Sequence, residues 1–462
     1  MMIKFAALTA ASLLASLSGV SSRSSLECPS KFGFPSTFMS CGPFGKETVC
    51  CDGKYAAALE SMCENPQAMP PGVCRAFSLN AFDSYSVKGP LAKTFPLSPE
   101  KNETGTPLTF KLHATNKNGD GWTKSTFRSQ AMPLSPGEVV FTSPGKTGVQ
   151  MHGAADGATV SIRRMVAEVV DADGTSIPLD EVYNHHWLFF DPTSANSGVC
   201  GGFLSYKFGV GAESRNTPTS FPSPYVVETR SKVWGANIHL LRTVDLDPAQ
   251  GGVKGCIECA YAEGKGCKES ESGSFNCCQN GSRCPTLSNH DASKEYFLQY
   301  SVEWRVASSD DVPVDIYVLD ASNCQIEYNI DENNITGVHT TDLTWPAQKD
   351  SKFVFGVGHQ HIGGINTTLM YKSPSTGEND AQEWKTLCTS YPTYGETKGK
   401  AGDEAGYVTK ISGCAGLSQS VKKGSQIRVL SLYDVSPNFG KSFDKGGHGG
   451  VMSLFYVAAV AA

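Results

Sequence analysis

Short apolar runs, many alternating with polar positions, fill the chain from about residue 108 onward, and Gly, Asn, Asp or Pro breaks them at close intervals. Residues 159–170 (TVSIRRMVAEVV), 296–306 (YFLQYSVEWRV), 314–319 (VDIYVL) and 427–433 (IRVLSLY) are rich in β-branched and aromatic side chains. Runs of this length between turn-forming residues predict strands of β-sandwiches, an all-β fold class. The apolar end of the chain, 454–462, predicts a final core strand. A polar stretch at 81–106 predicts a linker.

Composition supports many short strands. The 462 residues are 40% hydrophobic and 18% charged, enough apolar material for a large core, and the length suits two β domains with small appendages. Forty-seven Gly and 25 Pro break the chain too often for long helices. A net charge of −6 with no block of Lys or Arg argues against a nucleic-acid partner.

The first residues change the picture of where the protein works. Lys4, an apolar run over 5–17 and small residues over 18–22 have the layout of a signal peptide, residues 1–22, which predicts secretion. A buried core strand is the alternative reading of that run. It is too short to span a bilayer, and no membrane span is expected. Sixteen cysteines point the same way, because lasting disulfides need an oxidising compartment. Six lie between Cys28 and Cys74, predicting a small disulfide-rich module over 23–80. Six more lie between Cys256 and Cys284, in a segment almost without apolar runs, predicting a stapled insert at 250–292. Cys256-x-x-Cys259 could open a zinc ribbon, but six local cysteines favour bridges. Four N-x-S/T sequons, at Asn102, Asn280, Asn334 and Asn366, predict a glycoprotein.

Ten histidines carry the candidate chemistry. His359 and His361 lie two apart in the predicted strand 352–362 (KFVFGVGHQHI), so both imidazoles point to one face and can reach one metal ion. Packed polar residues would give the same pattern. His185 and His186 are adjacent in 183–190 (YNHHWLFF), and neighbours in a strand face opposite ways. A shared metal there requires a twist, a bulge or different ring nitrogens. His239 stands alone in 233–241 (VWGANIHLL). Three imidazoles buried in adjoining apolar strands are costly without a partner, and a metal would satisfy them. In the last strand, Met452, Leu454 and Tyr456 share a face. Met452 by itself reads as core filling, but beside the HxH strand its thioether would make a soft site that favours Cu(I). His113, His290 and His339 sit in polar surroundings and are expected to be solvated. His448 is a candidate to support the metal ligands from behind, and His152 is left open.

The ordered set His185-His186, His239, His359-Gln-His361-Ile-Gly-Gly and Met452 resembles the copper type II, ascorbate-dependent monooxygenases, the peptidylglycine and dopamine hydroxylating enzymes. Gly209-Val-Gly-Ala-Glu-Ser before His239 and His448-Gly-Gly-Val before Met452 resemble the same family. GHQHIGGINTTLMY (358–371), CTSYPTYG (388–395), GDEAGYVTKISGC (402–414) and GVMSLFYV (450–457) are similar to the stress up-regulated nodulin family of secreted proteins, a closer match. The likeness covers roughly 105–462 and implies two jelly-roll-like β-sandwiches in tandem, each with one copper. The first copper-type sandwich would span 107–310 with its insert, and the second 311–462.

The likeness further implies that His185, His186 and His239 form an electron-transfer site. His359, His361 and Met452 would form the site that meets dioxygen and a substrate C–H bond; the two coppers would face each other across a solvent cleft, and ascorbate would reduce both. Tyr456 would line the substrate pocket. The family's carboxylate-binding arginine, two residues before HxH, is Val357 here, and the polar residue two after the methionine is Leu454. Both changes argue for a small or peptide-like substrate less anionic than a glycine-extended peptide. Three readings follow: a copper monooxygenase, a secreted copper-binding protein of stress or development without turnover, and a disulfide-rich extracellular structural or adhesion protein.

Overall fold

The computed structural model describes residues 40–44, 47–51, 92–94, 109–134, 139–142, 149–191, 193, 206–242, 293–323, 327–330, 337–374, 383–434 and 448–462. The predicted signal peptide, all but one hairpin of the 23–80 module, the 250–292 insert and all four sequons except Asn366 lie outside the described residues. The chain divides into two compact units, 1–84 and 85–462. In the first, Ser40–Phe44 and Glu47–Cys51 form an antiparallel hairpin.

The second unit is built from strands, as the periodicity predicts, and the described residues contain no α-helix. Two sheets make the first sandwich. One runs Tyr206–Val210, Val182–Phe190, Val233–Arg242, Val139–Thr142, Ala92–Thr94; the other is centred on Val160–Val170 and Lys294–Val306. Alternation along these strands sends Trp187, Phe189, Ile238 and Leu240 from one sheet against Phe127, Leu298, Tyr300 and Val302 from the other. Two boundaries differ from the sequence reading. Ala92–Thr94, inside the expected 81–106 linker, pairs in parallel with Val139–Thr142. Val312–Pro313, beyond the expected break at 310, pairs with Tyr225–Val226 of the first sandwich.

The second sandwich packs the sheet Asp315–Asp320, His448–Ala461, Ser351–Gln360, Gly413–Ala415 against the sheet Val338–Pro346, Gln426–Asp434, Gly364–Lys372, Lys385–Ser390. Phe353, Phe455, Val457 and Ala459 fill its core against Trp345, Leu369 and Val429. A disulfide, Cys388–Cys414, ties the two sheets.

The opposite face of that first sheet is buried too. Val354, Phe355, Tyr456 and Ala458 belong to the core of the first sandwich. Phe221 of the first sandwich meets Phe355 of the second, ring centroids 5.7 Å apart. A bulge between Phe353 and Phe355 makes this possible, because one extra residue flips the alternation and turns 355, 357, 359 and 361 toward the seam. A sheet covered on both faces needs near-continuous apolar strands, which is why 451–460 reads VMSLFYVAAV.

Next to the boundary, Asp311 accepts hydrogen bonds from Ser161 Oγ (2.7 Å) and the Ser308 amide (2.9 Å) and pairs with Arg305. Burial pushes its carboxyl up, but these bonds and the arginine charge outweigh burial and hold it below the usual range. A depressed folded-state value stabilises the protein above the unfolded value, roughly pH 3.9, and that stability is lost as pH falls below it. The stability gap between wild type and Asp311→Asn, measured by urea unfolding, is therefore expected to be wide at pH 7 and to close toward pH 3. A gap that is the same at both pH values would contradict this.

Candidate metal centre

Of the predicted ligands, His185, His186, His359 and His361 come together at the seam between the sandwiches. The ladder between Val182–Phe190 and Val233–Arg242 pairs Asn184 with Leu240 and then His186 with His239, so His185 is the bulged residue. This is the distortion that adjacent strand histidines need in order to act together. The bulge brings His185 Nδ1 within 3.0 Å of His186 Nδ1. Trp187 continues the alternation into the first core, and His186 is paired with position 239 in the ladder. The side chain of His239 lies outside the described residues.

On the other side of the seam, His359 and His361 project from the end of Ser351–Gln360 with ring centroids 5.4 Å apart. Gln360 between them points the other way and donates to Ser431 Oγ (2.8 Å) and the Leu432 carbonyl (3.0 Å). That anchor follows from the two-residue period. The His361 ring lies 5.3 Å from the His185 ring, and His185 lies 5.1 Å from His186. Four imidazoles thus run in one row: His186, His185, His361, His359.

Met452 is buried. The strand ladder pairs His359 with Leu454 and Gln360 with Ser453. One step further, the Tyr433 hydroxyl replaces a ladder bond. It accepts from the His361 amide at 3.0 Å and donates to the Met452 carbonyl. His361 and Met452 are therefore held as neighbours by a side chain from the opposite sheet.

A residue not singled out in the sequence closes the row. Glu213 Oε1 accepts from His359 Nδ1 at 2.9 Å, and the carboxylate is buried. Burial pushes the Glu213 carboxyl up, but the charge and hydrogen bond of His359, with backbone amides at 211 and 213, outweigh burial and hold it below the ordinary range. Glu213 belongs to the 3-10 turn Ala212–Arg215. A Cβ on the preceding Gly211 would come within 2.6 Å of both Glu213 Oε2 and His359 Cε1, so only glycine allows this approach. The signal available in the sequence was an acidic residue in a Gly-rich turn, GVGAES, flanked by apolar strands.

Tyr456, expected to line a substrate pocket, sits in the seam itself. Its hydroxyl donates to the Lys207 carbonyl at 2.8 Å, and its ring meets Tyr206 and Phe355. Burial holds its phenol well above the usual range. Here it ties the two sandwiches together. Tyr456→Phe is expected to cost about 1 kcal/mol for the lost bond, read from the urea midpoint; an unchanged midpoint would argue against the tie.

The remaining histidines separate. His113 is exposed, as expected. His339 differs from its expected solvated state: it lies half-buried in a strand, with Nε2 2.8 Å from Thr341 Oγ1. His152 is buried against Trp304. His290 and the side chain of His448 lie outside the described residues.

Donor chemistry tests whether a metal fits. Two nitrogens about 2.0 Å from one ion lie roughly 2.9 to 3.3 Å apart for bond angles between 90° and tetrahedral. The His185–His186 separation falls in that span. Among the described residues no three His, Cys, Asp or Glu side chains converge as a metal cage. The expected sets draw on Met452, a thioether, and on His239, whose side chain is not among those described.

The profile of a family described as stress up-regulated Nod 19 matches residues 191–462. The chain belongs to the stress up-regulated Nod 19 family. The matched span holds Glu213, His239, His359, His361, Met452 and Tyr456, and begins just past the strand that carries His185 and His186. No curated protein matches the chain. Among solved structures, it is similar to the infectious bursal disease virus VP2 subviral particle at 10% identity, over 76% of this chain and 73% of that one, TM-score 0.17. It is also similar to the 11S allergen from Cocos nucifera L. at 6% identity, over 77% and 89%, TM-score 0.09. Scores this low bear on neither fold nor function.

Proposed function

We propose that this stress up-regulated Nod 19 protein is a secreted copper-binding protein, with His185, His186 and His239 holding one ion and His359, His361 and Met452 a second. The observation that carries the reading is the row of four imidazoles at the seam, with the His185 bulge setting two ring nitrogens at metal-chelating separation. Imidazole and thioether together form a soft donor set, which suits copper better than calcium, magnesium or zinc. Secretion is supported by the leader-like first 22 residues and by the Cys388–Cys414 disulfide. No helix among the described residues is long and apolar enough to cross a membrane.

Bound copper would supply one-electron redox chemistry, with ascorbate as the candidate reductant. The protein's own part is to hold the imidazoles in register and to exclude water with Phe221, Phe355 and Tyr456. Hydroxylation of a small or peptide-like substrate is the activity that the sequence likeness to copper monooxygenases suggests. Copper storage or buffering without turnover rests on the ligands alone.

Metal analysis of the purified chain decides the central claim. About two coppers per chain are expected, with about one after His359→Ala and about one after joint replacement of His185, His186 and His239 by Ala. Full occupancy in either variant would remove that site from the proposal. Ascorbate-dependent oxygen uptake that rises with an added substrate would separate catalysis from binding alone.

A further inference from the structure

The geometry points to Glu213 as a positioning residue for the second proposed copper site, fixing the tautomer of His359 so that Nε2 is the nitrogen offered to metal. The inference rests on the copper reading for its purpose, but its geometric content stands on the metal-free protein. With Glu213 Oε1 as the acceptor of the 2.9 Å contact, the proton sits on His359 Nδ1. In the neutral imidazole the other ring nitrogen then carries the lone pair. Metal-binding histidines are commonly held this way, by a carboxylate on the nitrogen that does not bind.

What makes the arrangement unusual is where the carboxylate comes from. His359 belongs to the second sandwich and Glu213 to the first. The turn that bears Glu213 is fastened on its own side by Asn184 Nδ2, which donates to the Gly211 carbonyl at 2.9 Å, and by Ser214 Oγ, which donates to the Ala167 carbonyl. Asn184 immediately precedes His185. One path of bonds therefore runs from the His185 strand through Asn184, Gly211 and Glu213 to His359. It joins the two proposed sites through the protein rather than through solvent, and docking of the sandwiches sets the orientation of a ligand on the second.

The test uses the full chain, wild type and Glu213→Ala, with Glu213→Gln as a variant that keeps the buried shape. Long-range nitrogen–proton NMR of the metal-free protein, assigned with His359→Gln, reads the tautomer. Wild type is expected to show His359 protonated at Nδ1, and Glu213→Ala to lose that preference. Copper titration is expected to show the second site weakened roughly 10- to 100-fold in Glu213→Ala, less in Glu213→Gln, with the first site unmoved. The copper resonance of the second site should shift in its electron paramagnetic spectrum. An unchanged tautomer in Glu213→Ala overturns the inference, as does second-site affinity within twofold of wild type in both variants. A wild-type chain that takes up no copper would sink the copper reading alone, and the tautomer measurement would still decide the role of Glu213.

Discussion

Replacing Glu404 with alanine is expected to destabilise the 85–462 unit by about 3 to 5 kcal/mol, the range for removing one partner of a buried ion pair. Its side chain is fully buried and Oε1 accepts three bonds: from Arg215 Nη1 (2.8 Å), the Gly402 amide (2.9 Å) and the Leu179 amide (3.2 Å). Arg215 and Leu179 belong to the first sandwich and Gly402 to the second, so one carboxylate pins the seam from both sides. Without it Arg215 keeps Glu168 at 3.4 Å and the Ile177 carbonyl at 2.7 Å, but its best acceptor is gone. The turn that carries Glu213 includes Arg215, so the loss should reach the histidine row. Urea unfolding followed by tryptophan fluorescence would show the effect, and a cost under about 1 kcal/mol would mean that the pair is not a lock.

The second large effect is expected at Tyr433. Tyr433→Phe keeps the ring in the core but removes the hydroxyl between the His361 amide and the Met452 carbonyl, stranding two buried backbone groups. Such groups cost about 1 to 3 kcal/mol each when left unpaired, so a loss of about 2 to 6 kcal/mol is expected. Copper at the His359/His361/Met452 site should weaken in parallel, because the hydroxyl keeps those two backbones in step. Wild-type stability together with wild-type second-site affinity would show that the strands close up without it.

Much of the fold was legible in the order of apolar and polar residues. The strands expected at 159–170, 183–190, 233–241 and 427–433 are found at Val160–Val170, Val182–Phe190, Val233–Arg242 and Gln426–Asp434. Their strong β-branched and aromatic content leaves little room for another conformation. Less legible were elements held only by neighbours. Ala92–Thr94 lacks a strand pattern of its own and pairs because Val139–Thr142 offers it an edge. His339 looked solvated in the sequence because Thr and Asp surround it, yet its strand lies beside Gln426–Asp434, which half-covers it.

The candidate site divides along the same line. That His359 and His361 share a face follows from the two-residue period of a strand, and that His185 and His186 need a bulge follows from the same rule. Both could be reasoned from the letters alone. The bulge itself, the 5.3 Å approach of His185 to His361 and the carboxylate of Glu213 on His359 could not, because each depends on residues far apart in the chain. Local pattern dictates which way a side chain leaves its strand. Only the docking of two sandwiches, driven by the apolar face that Phe355, Tyr456 and Ala458 press against the first core, decides what that side chain meets.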